Sequence, residues 1–165
     1  MHDGDLSKIG LQPKLDPVGI WTEGYGRAMI DPRTKQFLRG SANEKYARSI
    51  ATISTEEEAV RALDEDLVKY SNSAKRALTD KYWELLNENQ KGALTSFVYN
   101  CGTGNPPYKI FQNIRLYIDN KMTEIDLIEY WCDSVIRAKK NGVMVVLEGL
   151  KRRRKSEAEL FFKPV

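Results

Sequence analysis

The sequence contains few of the residues that build metal centres or disulfide scaffolds. Its 165 residues include one histidine and two cysteines, Cys101 and Cys132, which lie in two separate helical patterns. This spacing carries no metal signature, because metal sites need several thiol or imidazole ligands at characteristic intervals. We interpret both cysteines as small buried residues, and a disulfide is the less favoured alternative.

Long hydrophobic runs are also missing. No apolar stretch approaches the roughly 20 residues that a membrane crossing requires, and the first ten residues, MHDGDLSKIG, lack the apolar region of a signal peptide. A hydrophobic content of 41% and a charged content of 30% are typical of a globular protein. A chain of this length can bury one sizeable core, so we predict a single domain over residues 1–165.

The positive charge is modest overall but unevenly distributed. The net charge is +3, yet residues 151–155 read KRRRK, a block of five cations near the end of the chain. Such a block favours an anionic partner without identifying it. A solvated helix face is one interpretation, and contact with an anionic membrane surface is another. The membrane interpretation uses Lys151, Arg152, Arg153, Arg154 and Lys155.

A β-hairpin is predicted near the start of the chain. Two short extended runs, Pro13 to Asp16 and Ile20 to Tyr25, are joined by Asp-Pro-Val-Gly, which has Asp, Pro and Gly where a type I turn prefers them. The segment 29–38 could add a second turn to the same small sheet.

From Ser41 onward, apolar residues recur at the spacing of a helix. Ser41 with Glu44, and Thr55 with Glu58, match the capping box that begins a helix, and the second of these helices is long enough to link two lobes. Asn87 with Gln90 begins an apolar helix over residues 87–101, which Gly102 ends, and this is the best candidate for the central helix. A small β segment followed by a helical body predicts an α+β fold with a cleft.

Later signals predict further helices and one turn. Thr123 caps a helix that carries apolar residues as far as Val135, and Asn141-Gly142 is a strong turn dipeptide. The segment 149–162 closes the chain as a basic helix. No repeat or low-complexity linker separates these parts into independent domains.

Asp16 and Thr22 are the first candidates for chemistry. They stand at opposite ends of the tight hairpin, so both side chains can project toward one opening if the sheet is short and twisted. On the residues alone, the favoured interpretation is that Asp16 only starts a turn, since Asp-Pro turns are common.

Three segments in order resemble one known family. DPVGIWTEGYG, LNENQKGALTSFVYNCGTGN and GLKRRRKSEAELF are similar to segments of the phage-type lysozymes, or endolysins, of glycoside hydrolase family 24. The resemblance covers the chain from about Gly10 onward, and its first motif is the specific one. It implies a two-lobed lysozyme-like fold, with a small β-hairpin lobe over about residues 1–53 and a linking helix and helical lobe over 54–165. It also implies hydrolysis of the β-1,4 bond between N-acetylmuramic acid and N-acetylglucosamine in peptidoglycan.

The resemblance assigns roles to three residues. Asp16 and Thr22 match the family's catalytic Asp and Thr. The Asp positions water or stabilises the cationic sugar, and the Thr orients that water. The family's proton donor is a Glu before a Gly, and this chain has Asp3 before Gly4, so Asp3 is the candidate acid by position. Asp is one methylene shorter than Glu, and catalytic groups tolerate little displacement. Asp5 and Glu23 are alternative acids, although Glu23 is expected on the opposite strand face from Thr22.

The resemblance also implies substrate contacts and partners. Tyr99 and Asn100, in FVYNCG, match positions that line the sugar groove, where an aromatic face and an amide suit a pyranose ring and its N-acetyl group. Their structural alternative is a core aromatic beside a helix-ending Asn. We expect peptidoglycan strands as substrate, no cofactor, no nucleic acid partner and a monomeric state. Synthesis in the host cytoplasm without a signal peptide and action on the cell wall after release across the inner membrane are also expected.

Two other functions remain open. A lytic transglycosylase on a similar fold cleaves the same bond with one acid/base, and the Asp16-Thr22 pair favours the hydrolase instead. The altered acid position also fits a weakened or non-catalytic relative that binds the cell wall.

Overall fold

The computed structural model of the protein describes residues 12–16 and 18–165. Two compact units are present, the first extending to Asp66 and the second comprising Leu67–Val165. Helices and small antiparallel sheets occur in the same chain, which confirms the predicted α+β class. Within the described ranges, no helix is both long and apolar enough to cross a membrane.

A three-stranded antiparallel sheet lies in the first unit. Its strands, in spatial order, are β1 (Lys14–Leu15), β2 (Trp21–Glu23) and β3 (Arg27–Ala28). Lys14 pairs with Thr22 across the first two strands, so the predicted hairpin is confirmed. The sheet covers a small core formed by Trp21, Met29, Leu38 and Ala47.

An arginine anchors this sheet to the first turns of a long helix. Helix α1 covers Glu44–Ile50 and helix α2 covers Glu56–Leu78. From β3, the Arg27 guanidinium donates to both carboxylate oxygens of Asp66, at 3.0 and 3.1 Å, and to the Ala62 carbonyl at 3.0 Å. The fork of donors matches the carboxylate, so the sheet has a fixed position on this part of α2.

The second unit is mainly helical. After α2 come α3 (Asp80–Trp83), α4 (Glu88–Cys101), α5 (Lys109–Ile118), α6 (Glu124–Cys132) and α7 (Glu148–Phe162). Its largest core cluster contains side chains from α4, α5, α6 and α7, with Phe97, Phe111, Trp131 and Phe161 almost completely buried. Phe97 packs edge-on against Phe111 and Trp131, with ring centroids 6.2 and 6.4 Å apart. Helix α4 contributes to the centre of this core, as its apolar sequence predicts.

Helix capping follows the predicted chemistry at three of four positions. The Thr123 side chain accepts a hydrogen bond from the Asp126 amide at the start of α6. The Asn87 side chain and the Gln90 side chain form a reciprocal capping box at the start of α4. Thr55 accepts a hydrogen bond from the Glu58 amide before α2. The prediction for Ser41 is wrong, because Ser41 lies inside a 3-10 turn (Ser41–Asn43) and makes no capping bond.

The turn dipeptide Asn141-Gly142 forms a second hairpin. It joins β4 (Arg137–Lys140) to β5 (Val143–Val146), and both turn residues have positive φ, 54° and 81°. This is the backbone that a two-residue hairpin loop requires. Helix α6 ends at Cys132, so the prediction that it continues to Val135 is wrong; Val135 itself has a φ of 50°, outside the helical region.

Candidate active site and sugar-contact residues

The Asp16 carboxylate is held by the turn that it begins. Its Oδ1 accepts hydrogen bonds from the backbone amides of Val18 at 3.0 Å and Ile20 at 2.8 Å. The turn is closed by a bond from the Gly19 amide to the Asp16 carbonyl, and Gly19 adopts a φ of 87° that glycine readily allows. The sequence therefore fixes the position of this carboxylate through local hydrogen bonds.

The second carboxylate oxygen of Asp16 is available for other interactions. Oδ2 accepts no hydrogen bond from any described residue. Asp16 is half-buried, and no buried side-chain nitrogen or oxygen in the described ranges lacks a partner, so Oδ2 is accessible to solvent. One oxygen is thus a structural acceptor and the other can bind a water molecule.

Thr22 lies on the same face of the hairpin as Asp16. Thr22 is directly opposite Lys14 in the β1–β2 pairing. Asp16 follows the end of β1, and its amide donates to the Ile20 carbonyl at 2.8 Å, which continues this register. The alternation of the hairpin therefore puts the Asp16 and Thr22 side chains on one side. The flanking Trp21 and Glu23 are buried on the other side. The Thr22 hydroxyl donates its proton to the Lys14 carbonyl at 3.1 Å and keeps its lone pairs free to accept.

Glu23 has a structural role. Its Oε1 accepts three hydrogen bonds, from the Thr52 amide at 3.0 Å, the Thr52 hydroxyl at 3.1 Å and the Ile53 amide at 2.8 Å. This carboxylate therefore holds the segment between α1 and α2, and it faces away from Thr22 as predicted. The adjacent Gly24 has a φ of 61°, a left-handed conformation that favours glycine, and a Cβ there would lie 2.8 Å from the Ile53 Cδ1 atom.

The two predicted sugar-contact residues lie at the end of α4, in the second unit. Tyr99 is half-buried, and its ring packs edge-on against Tyr70 with centroids 5.2 Å apart. Asn100 is also half-buried, and its Oδ1 accepts a hydrogen bond from the Arg154 Nη2 atom at 2.8 Å. Asp16 and Thr22 thus share one hairpin, and Tyr99 and Asn100 share one helix end. Asp3 and Asp5 lie outside the described residues.

The assignment of Arg154 to an exposed cationic surface is wrong. Its side chain is completely buried, whereas Lys151, Arg152, Arg153 and Lys155 are exposed. Arg154 forms an ion pair with the buried Glu157, with Nε at 2.8 Å from Oε1 and Nη2 at 2.7 Å from Oε2. This partner offsets part of the free-energy cost of burying the charge.

Sequence reasoning missed the buried pair, although a signal was present. Arg154, Glu157, Ala158 and Phe161 are the buried residues of α7, and their spacing of three, four and seven is that of one helix face. An Arg and a Glu on the same face as Ala and Phe indicate a buried ion pair. The block of like charges concealed this periodicity.

Both cysteines are free thiols, which confirms the preferred interpretation, although each is half-buried. Burial raises the pKa of the Cys101 thiol to about 11, against the opposing effect of Arg154. Burial also raises the pKa of Cys132. Both thiols are therefore protonated and weakly nucleophilic at neutral pH.

The sequence matches a known family model, and the fold is similar to those of solved structures. A family model described as phage lysozyme matches residues 7–157. The endolysin from Escherichia coli O157:H7 phage FAHEc1 has a TM-score of 0.62 at 23% identity, over 94% of this chain and 84% of that chain. The active form of the P1 phage endolysin Lyz has a TM-score of 0.52 at 19% identity, over 97% and 83%.

A bacterial structure is also similar. The muramidase domain of SpmX from Asticaccaulis excentricus has a TM-score of 0.55 at 25% identity, over 93% of this chain and 87% of that chain. A comparison with curated protein sequences finds no significant match. The structural neighbours confirm the lysozyme-like fold, and the family model covers most of the chain. The chain therefore belongs to the phage lysozyme family, a family of peptidoglycan hydrolases.

Proposed function

We propose that this protein is a muramidase that hydrolyses the β-1,4 bond between N-acetylmuramic acid and N-acetylglucosamine. The observation that carries the proposal is the placement of Asp16 and Thr22 on one face of the β1–β2 hairpin. Asp16 offers an oxygen open to solvent, and Thr22 offers a hydroxyl whose own proton is already donated to Lys14. Family membership supports the same reaction class.

The acceptor atoms that Asp16 and Thr22 leave unused suit a bound water molecule. A water molecule can donate one hydrogen to the Asp16 Oδ2 and the other to the Thr22 Oγ1, which is left with acceptor capacity only. A lone pair of the water oxygen then points toward the anomeric carbon. As the carbon–oxygen bond to the leaving sugar breaks, Asp16 takes a proton from the water and a second acid protonates the leaving oxygen.

The second acid in this proposal is Asp3. It is the carboxyl group nearest the family's acid position by the sequence resemblance, and it lies outside the described residues. Asp5 is the alternative. Glu23 is not proposed, because its Oε1 already binds Thr52 and Ile53 from a buried position.

Product analysis tests the proposed reaction. Purified peptidoglycan digested in water enriched in the heavy oxygen isotope should yield reducing-end muramic acid that carries the heavy oxygen, because hydrolysis adds a water oxygen to the anomeric carbon. Anhydro-muropeptides, which lack the added water, would instead establish a lytic transglycosylase. Digestion by Asp3→Ala should stop if Asp3 donates the proton, and continued digestion would remove Asp3 from the mechanism.

Tyr99 and Asn100 are proposed to contact the sugar in the second unit. Both are half-buried at the end of α4. The Asn100 amide suits an N-acetyl group, and the Tyr99 ring suits a pyranose face.

An anionic membrane surface is proposed as a second partner. The exposed cations of α7 are Lys151, Arg152, Arg153 and Lys155, and the β4–β5 hairpin adds the exposed Arg137, Lys139 and Lys140. The same hairpin exposes Val143 and Met144, by 62% and 57%. Cations beside apolar side chains suit the headgroup and acyl boundary of a bilayer.

Vesicle binding tests this surface. Replacing Lys151, Arg152, Arg153 and Lys155 with Gln should reduce co-sedimentation with phosphatidylglycerol vesicles by about tenfold or more, since each cation near an anionic surface contributes about 1 kcal/mol. The matched control removes four exposed cations elsewhere: Lys35, Arg39, Lys45 and Lys121. Equal losses in the two variants would indicate a general charge effect. Binding of the wild type to isolated peptidoglycan but not to vesicles would contradict a membrane partner.

A further inference from the structure

We propose that Arg154 is a positioning residue that orients the Asn100 side chain as a hydrogen-bond donor for the acetamido group of a bound sugar. The inference rests on the proposed contact between Asn100 and the sugar. It assigns a second residue to that contact, one that is itself completely buried and touches no substrate.

The chemistry of Arg154 fixes which way the Asn100 amide points. A guanidinium has only donors, so the Asn100 atom that faces Nη2 at 2.8 Å must be the carbonyl oxygen. The Cys101 thiol, which burial keeps protonated, donates to the same oxygen at 3.4 Å. Two donors on one oxygen leave a single favourable orientation for the amide group.

The opposite end of that amide is free to bind a ligand. The Asn100 Nδ2 group donates to no described residue. Asn100 is half-buried, and the described residues contain no buried side-chain nitrogen without a partner, so Nδ2 is accessible to solvent. It offers two N–H donors, which match the carbonyl oxygen of an N-acetyl group.

Arg154 can impose this orientation because its own position is fixed. Glu157 binds its guanidinium through two hydrogen bonds, and the Phe97 ring lies 4.8 Å from the guanidinium carbon. Glu157 is fixed in turn by a hydrogen bond from the Trp131 indole at 3.1 Å. Folding therefore already fixes the Asn100 amide, so little conformational entropy is lost there when a sugar binds.

The predicted consequence is selectivity for acetylated sugars. An amide held with Nδ2 outward gains a hydrogen bond from an acetamido oxygen. A free amine at the same sugar position offers no such acceptor and would leave the donor unpaired in the complex.

A double-mutant cycle tests the inference with the β-1,4-linked trimer of N-acetylglucosamine as probe. Calorimetry should show about tenfold weaker binding for Asn100→Ala and for Arg154→Lys, because each loses about one hydrogen bond to the sugar. The double variant should bind no more weakly than Asn100→Ala, since Arg154 acts through Asn100. Arg76→Lys, an exposed arginine of α2, is the matched control and should bind as the wild type does.

Additive losses in the double variant would overturn the inference, because they would show that Arg154 affects binding independently of Asn100. Unchanged binding by Asn100→Ala would overturn it as well. If either result is found while the digest still contains muramidase products, the inference on Arg154 is wrong and the proposed reaction is still supported. Failure of the inference can therefore be distinguished from failure of the proposed function.

A measurement on the wild type covers the case in which Arg154→Lys does not fold. The side-chain amide signals of Asn100 in a nitrogen–proton spectrum should shift when the acetylated trimer is added. The deacetylated trimer should leave them in place. Equal shifts with both trimers, or no shift with the acetylated one, would overturn the inference.

Discussion

Asp16→Asn should lower the rate of peptidoglycan hydrolysis by about 10²–10⁴-fold, the usual contribution of a positioned acid or base. The replacement is isosteric, and the Asn oxygen can still accept hydrogen bonds from the Val18 and Ile20 amides. Its nitrogen would occupy the position of Oδ2, where it donates instead of accepting and cannot take a proton from water. The hairpin should therefore keep its fold while the reaction stops.

The measurement is the loss of turbidity of permeabilised Gram-negative cells, together with the melting temperature of each variant. Asp31→Asn is the matched control, because Asp31 also holds a turn, accepting from the Arg33 amide at 2.9 Å and pairing with its guanidinium at 3.0 Å. This variant should keep lysis and lose stability, the reverse of Asp16→Asn. Unimpaired lysis by Asp16→Asn, with loss of lysis when the exposed cations of α7 are removed, would contradict the muramidase mechanism and favour membrane disruption.

The Asp31→Asn control also predicts how stability depends on pH. The hydrogen bond from the Arg33 side chain holds the pKa of the Asp31 carboxyl below its usual value. A lowered folded-state pKa contributes stability above the unfolded pKa, and this contribution is lost as the pH falls through the folded pKa. Asp31→Asn should therefore remove a part of the acid sensitivity of the wild type.

The hairpin that carries Asp16 could be predicted because its chemistry is local. The turn needs an acceptor at residue 16 and a positive φ at Gly19, and both requirements are visible within five residues. The helix start at Asn87 is equally local, since its partner Gln90 is three residues away. Short-range hydrogen bonds of this kind leave a direct mark on the sequence.

The hydrogen bonds that hold the candidate site in place could not be predicted, because they join residues that are distant in the chain. Glu23 binds backbone amides about 30 residues later, and Asn100 binds Arg154 more than 50 residues later. Periodicity can place Arg154 on a buried helix face, but it cannot identify the partner that faces it. Such pairings arise only when the helices pack, so tertiary structure overrides the local charge pattern.

Glu157→Ala should cause the largest loss of stability, about 3–5 kcal/mol, because it leaves Arg154 buried without a counter-charge. The change also removes the acceptor of the Trp131 indole hydrogen bond. The melting temperature should fall on the order of 10 °C for a chain of this size. Glu159→Ala is the matched control, since this exposed neighbour makes only a 4.0 Å ion pair with Lys155 and should change stability by about 0.5 kcal/mol or less.

Replacing both Arg154 and Glu157 with apolar residues separates the role of this ion pair in stability from its role in orienting Asn100. Arg154→Met with Glu157→Leu removes both charges together, and buried ion pairs replaced in this way often keep or gain stability. The melting temperature should therefore recover the part of the Glu157→Ala loss that the unpaired Arg154 charge causes, while the Trp131 indole still lacks its acceptor. Binding of the acetylated trimer should stay weak, because nothing then orients the Asn100 amide. Recovery of both stability and affinity for the trimer would mean that the ion pair serves the fold alone. Recovery of stability without affinity would separate the folding role of Glu157 from the positioning role of Arg154.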